Sequence, residues 1–138
     1  MVDNLTRTQR TETMRRIRSR DTAPELLVRS CLRELGYTGY RLHRRDVAGN
    51  PDIVWLGKKL ALFVHGCFWH GHNCHRGARV PKTRRAYWVA KIARNKVRDQ
   101  FSRATLKRLG WRVLVLWECR LTDTPGVMER LGLWLGQK

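Results

Sequence analysis

Apolar residues change their spacing several times along this chain, and each change marks an element. From Thr22 to Leu35 they recur at helical intervals, with Leu27, Cys31 and Leu35 in a stripe flanked by Val28 and Leu32. Thr22 followed by Glu25 fits a capping box, Pro24 suits a first helical turn, and Gly36 stops the helix. The period then shortens. Tyr37–Leu42 reads as a strand, Gly49-Asn50-Pro51 as a turn, Asp52–Leu56 as a second strand, Gly57-Lys58 as a tight turn and Lys59–His65 as a third strand. The third is nearly all apolar, the mark of a central strand covered on both faces. A long helical stretch follows from Thr83 to Leu109 and ends at Gly110, with Tyr87, Ala90, Val97, Phe101, Ala104 and Leu109 expected to face the sheet. Trp111–Trp117 is a fourth, apolar strand; joined to the third through a helix, it should lie parallel to it. Thr124-Pro125 opens a last helix carrying Val127, Met128, Leu131, Trp134 and Leu135, ending at Gly136.

The Met1–Arg20 segment breaks this pattern. It carries six arginines (Arg7, Arg10, Arg15, Arg16, Arg18 and Arg20) and few apolar side chains. It cannot supply a core, so it reads as a basic arm over residues 1–20, helical near Thr11–Ser19 once bound, ahead of a single domain over 21–138. Met14 is its large flexible hydrophobe, for which core packing and a binding role are equally open. At 138 residues the chain is long enough for one real core. Charge narrows the partner. Lys and Arg number 29 against 11 acids, a formal +18, which favours a polyanion such as nucleic acid over an anionic membrane surface. In the long helix Lys91, Arg94, Lys96, Arg98, Arg103, Lys107 and Arg108 stand with Asp99 as the lone acid; one sign along a helix suits phosphate tracking. No apolar run approaches the roughly 18–20 residues of a bilayer span, and the polar, Arg-rich start is unlike a secretory leader.

The densest chemistry lies in Gly66-Cys-Phe-Trp-His-Gly-His-Asn-Cys74. Zinc takes Cys and His ligands in fours. Cys67, His72 and Cys74 can share one ion within a single loop, and Cys119, just after an apolar run, is the candidate fourth ligand. Unliganded reduced cysteines are the plainer alternative, but so dense a Cys/His cluster argues for metal. Cys31 reads as an ordinary core residue, and cysteines used this way suit a reducing cytosol. His70 is left as the spare imidazole. In an antiparallel hairpin the start of the second strand and the end of the third lie on one side, so Asp52, His65 and the His70 loop converge at one edge. The element order α-β-β-β-α-β-α, with a central mixed four-stranded sheet flanked by helices and a structural zinc loop, is that of a small α/β restriction-endonuclease-like core. Such nucleases usually carry an acid and a Lys on the strand after the turn Asp. Leu60–Val64 offers neither, so the base must come from elsewhere, and an imidazole can take a proton from water.

At this point the chain resembles the very-short-patch-repair (Vsr) DNA mismatch endonucleases over nearly its whole length. The matching segments are Met14-Arg15, Arg20-Asp-Thr-Ala-Pro-Glu25, Gly49-Asn-Pro-Asp52, His65-Gly-Cys-Phe-Trp-His70, Lys91-Ile-Ala-Arg-Asn95 with Arg98-Asp99, and Gly110-Trp-Arg-Val-Leu-Val-Leu-Trp-Glu-Cys119. The Gly-Cys-Phe-Trp-His run and the Trp-Glu-Cys ending are the most specific. The resemblance implies a magnesium-dependent nick 5′ to the thymine of a T·G mismatch, the product of 5-methylcytosine deamination. It implies that Asp52 binds one or two Mg2+ ions, that His70 is the general base, that His65 is a second active-site histidine and that Glu25 is a carboxylate near the site, although helix capping alone would explain Glu25. Cys67, His72, Cys74 and Cys119 match the ligands of one structural Zn2+. Phe68, Trp69 and Trp88 match aromatics that wedge into the duplex from the major groove, and Met14 matches a residue entering from the minor groove. Lys91 and Asn95 match positions near the mismatched pair. The family often has Thr where Val64 stands, so a metal-ligand role there falls to the main-chain carbonyl. The basic segment with His75, Arg76 and Arg79 also departs from the family in length. The expected partner is double-stranded DNA with a T·G mismatch, bound by a monomer in the bacterial cytoplasm at the nucleoid, with contacts to repair proteins in prospect. Two rivals remain open: a restriction-type nuclease cutting both strands, and a zinc-stapled DNA-binding module without catalysis.

Overall fold

The computed structural model describes residues 22–74 and 80–136. The expected arm with Met14 and the segment holding His75, Arg76 and Arg79 lie outside the described residues. The described elements run α1 (Ala23–Leu35), β1 (Arg41–Leu42), β2 (Ile53–Trp55), β3 (Leu60–His65), α2 (Arg85–Arg108), β4 (Arg112–Trp117), a 3-10 turn (Glu118–Arg120) and α3 (Thr124–Leu135). The Thr22 hydroxyl accepts from the Glu25 N–H at 3.4 Å, and Gly36 closes α1 in the left-handed region at φ 82°.

The strands form one mixed sheet in the order β1-β2-β3-β4. The first three are antiparallel, with Leu42 opposite Ile53 and Ile53 opposite Leu62, while β3 and β4 are parallel with His65 beside Trp117. Helices cover both faces. Ile53, Trp55, Leu60, Leu62, Leu114 and Leu116 pack with Val28, Cys31 and Leu32 of α1 and with Val127, Leu131 and Trp134 of α3. The alternate residues Val54, Ala61 and Phe63 pack with Val47 and with Leu106 of α2. The two-sided burial of β3 is what its unbroken apolar run foretold.

Two elements differ from the sequence-based reading. The first strand, expected over Tyr37–Leu42, is only two residues long. Gly39 takes φ 80° and turns the chain, Tyr37 and Tyr40 still pack on the core, and the Thr38 carbonyl accepts from Trp55 Nε1 at 3.1 Å. The long helix is rotated from the expected face. Tyr87, Val97, Phe101 and Leu109 are 40%, 66%, 71% and 57% exposed, and Ala90 and Ala104 are exposed with them. Ile92, Ser102 and Leu106 are buried instead, with Trp88, Asn95 and Asp99 half-buried on the same side. That inner face is polar at its centre because it walls a cleft there rather than packing on the sheet.

Candidate active site

The cleft, about 1120 Å³, opens between the start of α1, the Gly49-Asn50 turn, the loop after β3 and the inner face of α2. Glu25, Val64, Trp69, His70, Lys91, Asn95 and Asp99 line it.

Asp52 stands just before β2 and is tied at both ends. Its N–H donates to the Leu62 carbonyl at 3.1 Å, and its Oδ2 accepts the Val64 N–H at 2.6 Å. Burial pushes its carboxyl up to about 7; the nearby Glu25 carboxylate adds to the shift, and the Val64 N–H opposes it. Glu25, capped through its main chain, turns a buried carboxylate towards the site, where its Oε2 lies 3.3 Å from both Arg29 Nη2 and His43 Nε2. Glu25, His43 and Asp52 place one donor atom each within 4.8 Å of one another. Two enclosed carboxylates with a neighbouring imidazole fit a hard divalent cation, which would remove the cost of charging both acids. Arg29 and His43 were not read from the sequence. The available signal was hairpin register, since Leu42 pairs with Ile53 and so sets His43 opposite Asp52.

A second cluster lies beside it, where β3 ends at His65. His65 and His70 stack with ring centroids 3.7 Å apart and planes 3° from parallel. His70 Nδ1 lies 2.6 Å from Asp99 Oδ2. A carboxylate only accepts, so Nδ1 carries the hydrogen and Nε2 of a neutral ring keeps the lone pair. Burial works against the Asp99 charge, but the hydrogen bond and charge of His70, helped by His65 and Arg103, hold its carboxyl below the ordinary carboxylate range. His65 is 5% exposed, and burial, with the His70 charge, lowers its imidazole to about 3. It is therefore neutral at working pH. Its Nδ1 is buried without a hydrogen-bond partner among the described residues. Asp99 was missed as a site residue; being the lone acid on a basic helix was its signal.

The metal-loop residues also meet. Cys67, His72, Cys74 and Cys119 bring their donor atoms within 4.8 Å of one another. His72 Nδ1 is 3.5 Å from Cys119 Sγ, and the Cys119 N–H donates to Cys67 Sγ at 3.3 Å. A tetrahedral shell with Zn–S near 2.3 Å has edges of about 3.7 Å, so this cluster could hold a zinc ion. Burial pushes the Cys67 thiol up to about 12, so a cation is what would ionise it. Cys119 comes from the 3-10 turn after β4, which fastens the loop to the sheet. Trp117 stacks on His72 at 4.2 Å and meets the His65 ring at 5.1 Å, coupling the staple to the histidine pair.

Phe68, Trp69 and Trp88 form a half-buried aromatic cluster, with centroids 5.1 to 5.7 Å apart. Lys91 Nζ lies 5.3 Å over the Trp69 ring, and Asn95 Nδ2 donates to the Trp69 carbonyl at 2.9 Å. With Asp99 holding His70, the loop is bound to α2 at two points. No helix among the described residues is long and apolar enough to cross a membrane.

Paired carboxylates, a carboxylate-held histidine and a Cys/His cluster thus meet at one edge of a mixed α/β sheet. A family model described as DNA mismatch endonuclease Vsr matches residues 2–76. The chain is 49% identical to the type II nicking enzyme V.XorIIP of Xanthomonas oryzae over 131 residues, 95% of each chain. It is 40% identical to the type II nicking enzyme V.NmeAIP of Neisseria meningitidis, covering 95% of this chain and 92% of that one. It is 39% identical to the DNA mismatch endonuclease Vsr of Escherichia coli, covering 98% of this chain and 88% of that one. The chain belongs to the Vsr family of DNA mismatch endonucleases.

Proposed function

We propose that this chain is a divalent-metal-dependent endonuclease that nicks one strand of duplex DNA, 5′ to the thymine of a T·G mismatch. The observation that carries the reading is the His70–Asp99 pair, held in the same cleft as the Glu25 and Val64 edge of the carboxylate site and beside a half-exposed aromatic cluster. His70 Nε2 takes the proton from the attacking water, and Asp99 holds the ring and offsets the imidazolium that forms. His65, neutral and stacked, backs His70 and keeps water from that face. Asp52, Glu25 and the Val64 main-chain carbonyl hold one or two Mg2+ ions. A bound divalent cation supplies charge to offset what builds on the phosphate and the leaving oxygen. Cys67, His72, Cys74 and Cys119 hold one structural Zn2+ and keep the loop rigid.

Phe68, Trp69 and Trp88 enter the stack beside the mismatch from the major groove, and Met14 from the minor groove. Unstacking costs a few kcal/mol and less at a mispair, which gives selectivity without reading every base. Lys91 and Asn95 sit at the mispaired bases, while the basic flanks of α2 and the arm follow phosphates. The protein works as a monomer at the bacterial nucleoid, with repair proteins as further partners. Relatives named as nicking enzymes favour single-strand cleavage over the restriction-type alternative, and the His70–Asp99 pair weighs against a purely binding module. Asp52→Ala and His70→Ala are each expected to lose at least about 10²-fold in nicking of a T·G duplex while still binding it. Undiminished metal-dependent nicking by Asp52→Ala would place the metal elsewhere; loss of zinc from His70→Ala would make His70 a ligand and leave His72 as the candidate base.

A further inference from the structure

We propose that His43 is itself a metal ligand, forming with Glu25 and Asp52 a two-carboxylate, one-imidazole centre that takes Mn2+ in preference to Mg2+. The inference rests on reading Asp52 and Glu25 as the divalent-cation site. Four observations lead to it. His43 follows β1 directly, and its N–H donates to the Asp52 carbonyl at 3.1 Å, so the two residues are fixed to one another through the main chain. Its backbone takes φ 52°, a left-handed conformation that a side-chain-bearing residue adopts at a cost and that clusters at functional sites. The distances also fit. His43 Nε2 and Glu25 Oε2 are 3.3 Å apart, and all three donor atoms lie within 4.8 Å. An octahedral shell of radius about 2.1 Å has adjacent ligands about 3 Å apart and opposite ones about 4.2 Å apart.

The fourth observation is a cation already lying against these atoms. Arg29 Nη2 is 3.3 Å from Glu25 Oε2 and 3.4 Å from His43 Nε2. The guanidinium places positive charge where Glu25 Oε2 and His43 Nε2 face one another, and an ion in its place would take the Nε2 lone pair as a ligand. The side chains are enclosed, 15% exposed for His43 and 9% for Glu25, which strengthens a charged ligand set. Oxygen-only sites suit Mg2+ and Ca2+, whereas an imidazole shifts preference towards first-row transition ions. Arg29 then acts as a competitor that must swing aside when the ion enters.

Mn2+ alone is the probe, titrated into the zinc-loaded full chain and followed by loss of the free-ion electron paramagnetic resonance signal. Wild-type protein should bind one Mn2+ that an equal concentration of Mg2+ does not displace, with spin-echo modulation from a coordinated imidazole nitrogen. His43→Gln should lose that modulation and bind Mn2+ about 10- to 100-fold more weakly, while its Mg2+ affinity changes far less. Arg29→Gln should bind Mn2+ more tightly. Bound Mn2+ without nitrogen modulation in the wild type overturns the proposal and needs no variant to fold. Modulation that persists in His43→Gln assigns the nitrogen to another histidine and also overturns it. Asp52→Ala separates the two claims: if it loses Mn2+ while His43→Gln keeps it, only the role of His43 fails. If Asp52→Ala keeps Mn2+, the carboxylate site itself is misplaced and both fail.

Discussion

Replacing Trp69 by Ala separates a residue that packs from one that inserts into DNA. Trp69 is half-buried, and its partners are Phe68 at 5.1 Å, Trp88 at 5.7 Å and the Lys91 ammonium at 5.3 Å. Aromatic pairs contribute about 0.5–1.5 kcal/mol each and an exposed cation–π contact about 0.5–1 kcal/mol. With the ring only partly enclosed, truncation should cost the free protein about 2 kcal/mol. Trp55 is the internal control. It is 5% exposed, packs between Tyr40 and Trp134, and its loss should cost about 3–5 kcal/mol. The effect on DNA should run the other way. Stacking of a base on an aromatic side chain contributes about 1–3 kcal/mol, so Trp69→Ala should slow T·G nicking roughly 10- to 100-fold and narrow the gap from a paired T·A duplex. The assay is a thermal melt of both variants together with single-turnover nicking of both duplexes. A fall in melting temperature matching that of Trp55→Ala, with the T·G preference intact, would refute insertion and leave discrimination to Lys91 and Asn95.

Asp99→Asn should cut nicking about 10²- to 10⁴-fold with DNA binding and zinc content unchanged, because an amide can accept from His70 Nδ1 or donate to it and no longer fixes the basic tautomer; an unaltered rate and pH profile would remove Asp99 from the mechanism. Cys119→Ser should release metal and lower the melting temperature, as chelation of the wild type should, since a structural zinc site contributes directly to folding. Elemental analysis finding no zinc in purified wild-type protein would contradict the four-ligand staple. Asp52→Asn tests the buried carboxyl through pH. Its folded value of about 7 lies above the ordinary 3.8, so stability is fully present below about 3.8 and is lost as pH rises towards 7. Without divalent cations the Asn variant should gain on the wild type across that window, by up to about 4 kcal/mol, and hold the gain at pH 8. A stability difference that does not change between pH 4 and pH 8 would refute the assignment.

Where local chemistry and tertiary environment agree, the sequence was a sufficient guide. Thr22 and Gly36 cap α1 as their types require, and the unbroken apolar run of β3 could only be a strand buried on both faces. The meeting of Cys67, His72, Cys74 and Cys119 was legible because three of them crowd one short loop and the fourth ends the neighbouring strand. The inner face of α2 was not, because a helix wall facing a cleft is polar. Ile92, Asn95, Asp99, Ser102 and Leu106 do not form an apolar stripe, whereas Val97 and Phe101 on the outside mimic one. His43 and Arg29 were missed for a related reason: each is ordinary in its own segment, and only the pairing of β1 with β2 and the turn of α1 bring them to Asp52.

Strand-resolved cleavage is the most direct test of the proposed function. A duplex with a single T·G mismatch, labelled on both strands, is incubated with the zinc-loaded protein with and without a divalent cation, beside the matched T·A duplex. The expected result is one cut, on the thymine strand and 5′ to the mispaired thymine, that requires the cation and is far slower on the paired duplex. Cleavage of both strands, equal cutting of the matched duplex, or no cutting with the cation present would contradict it.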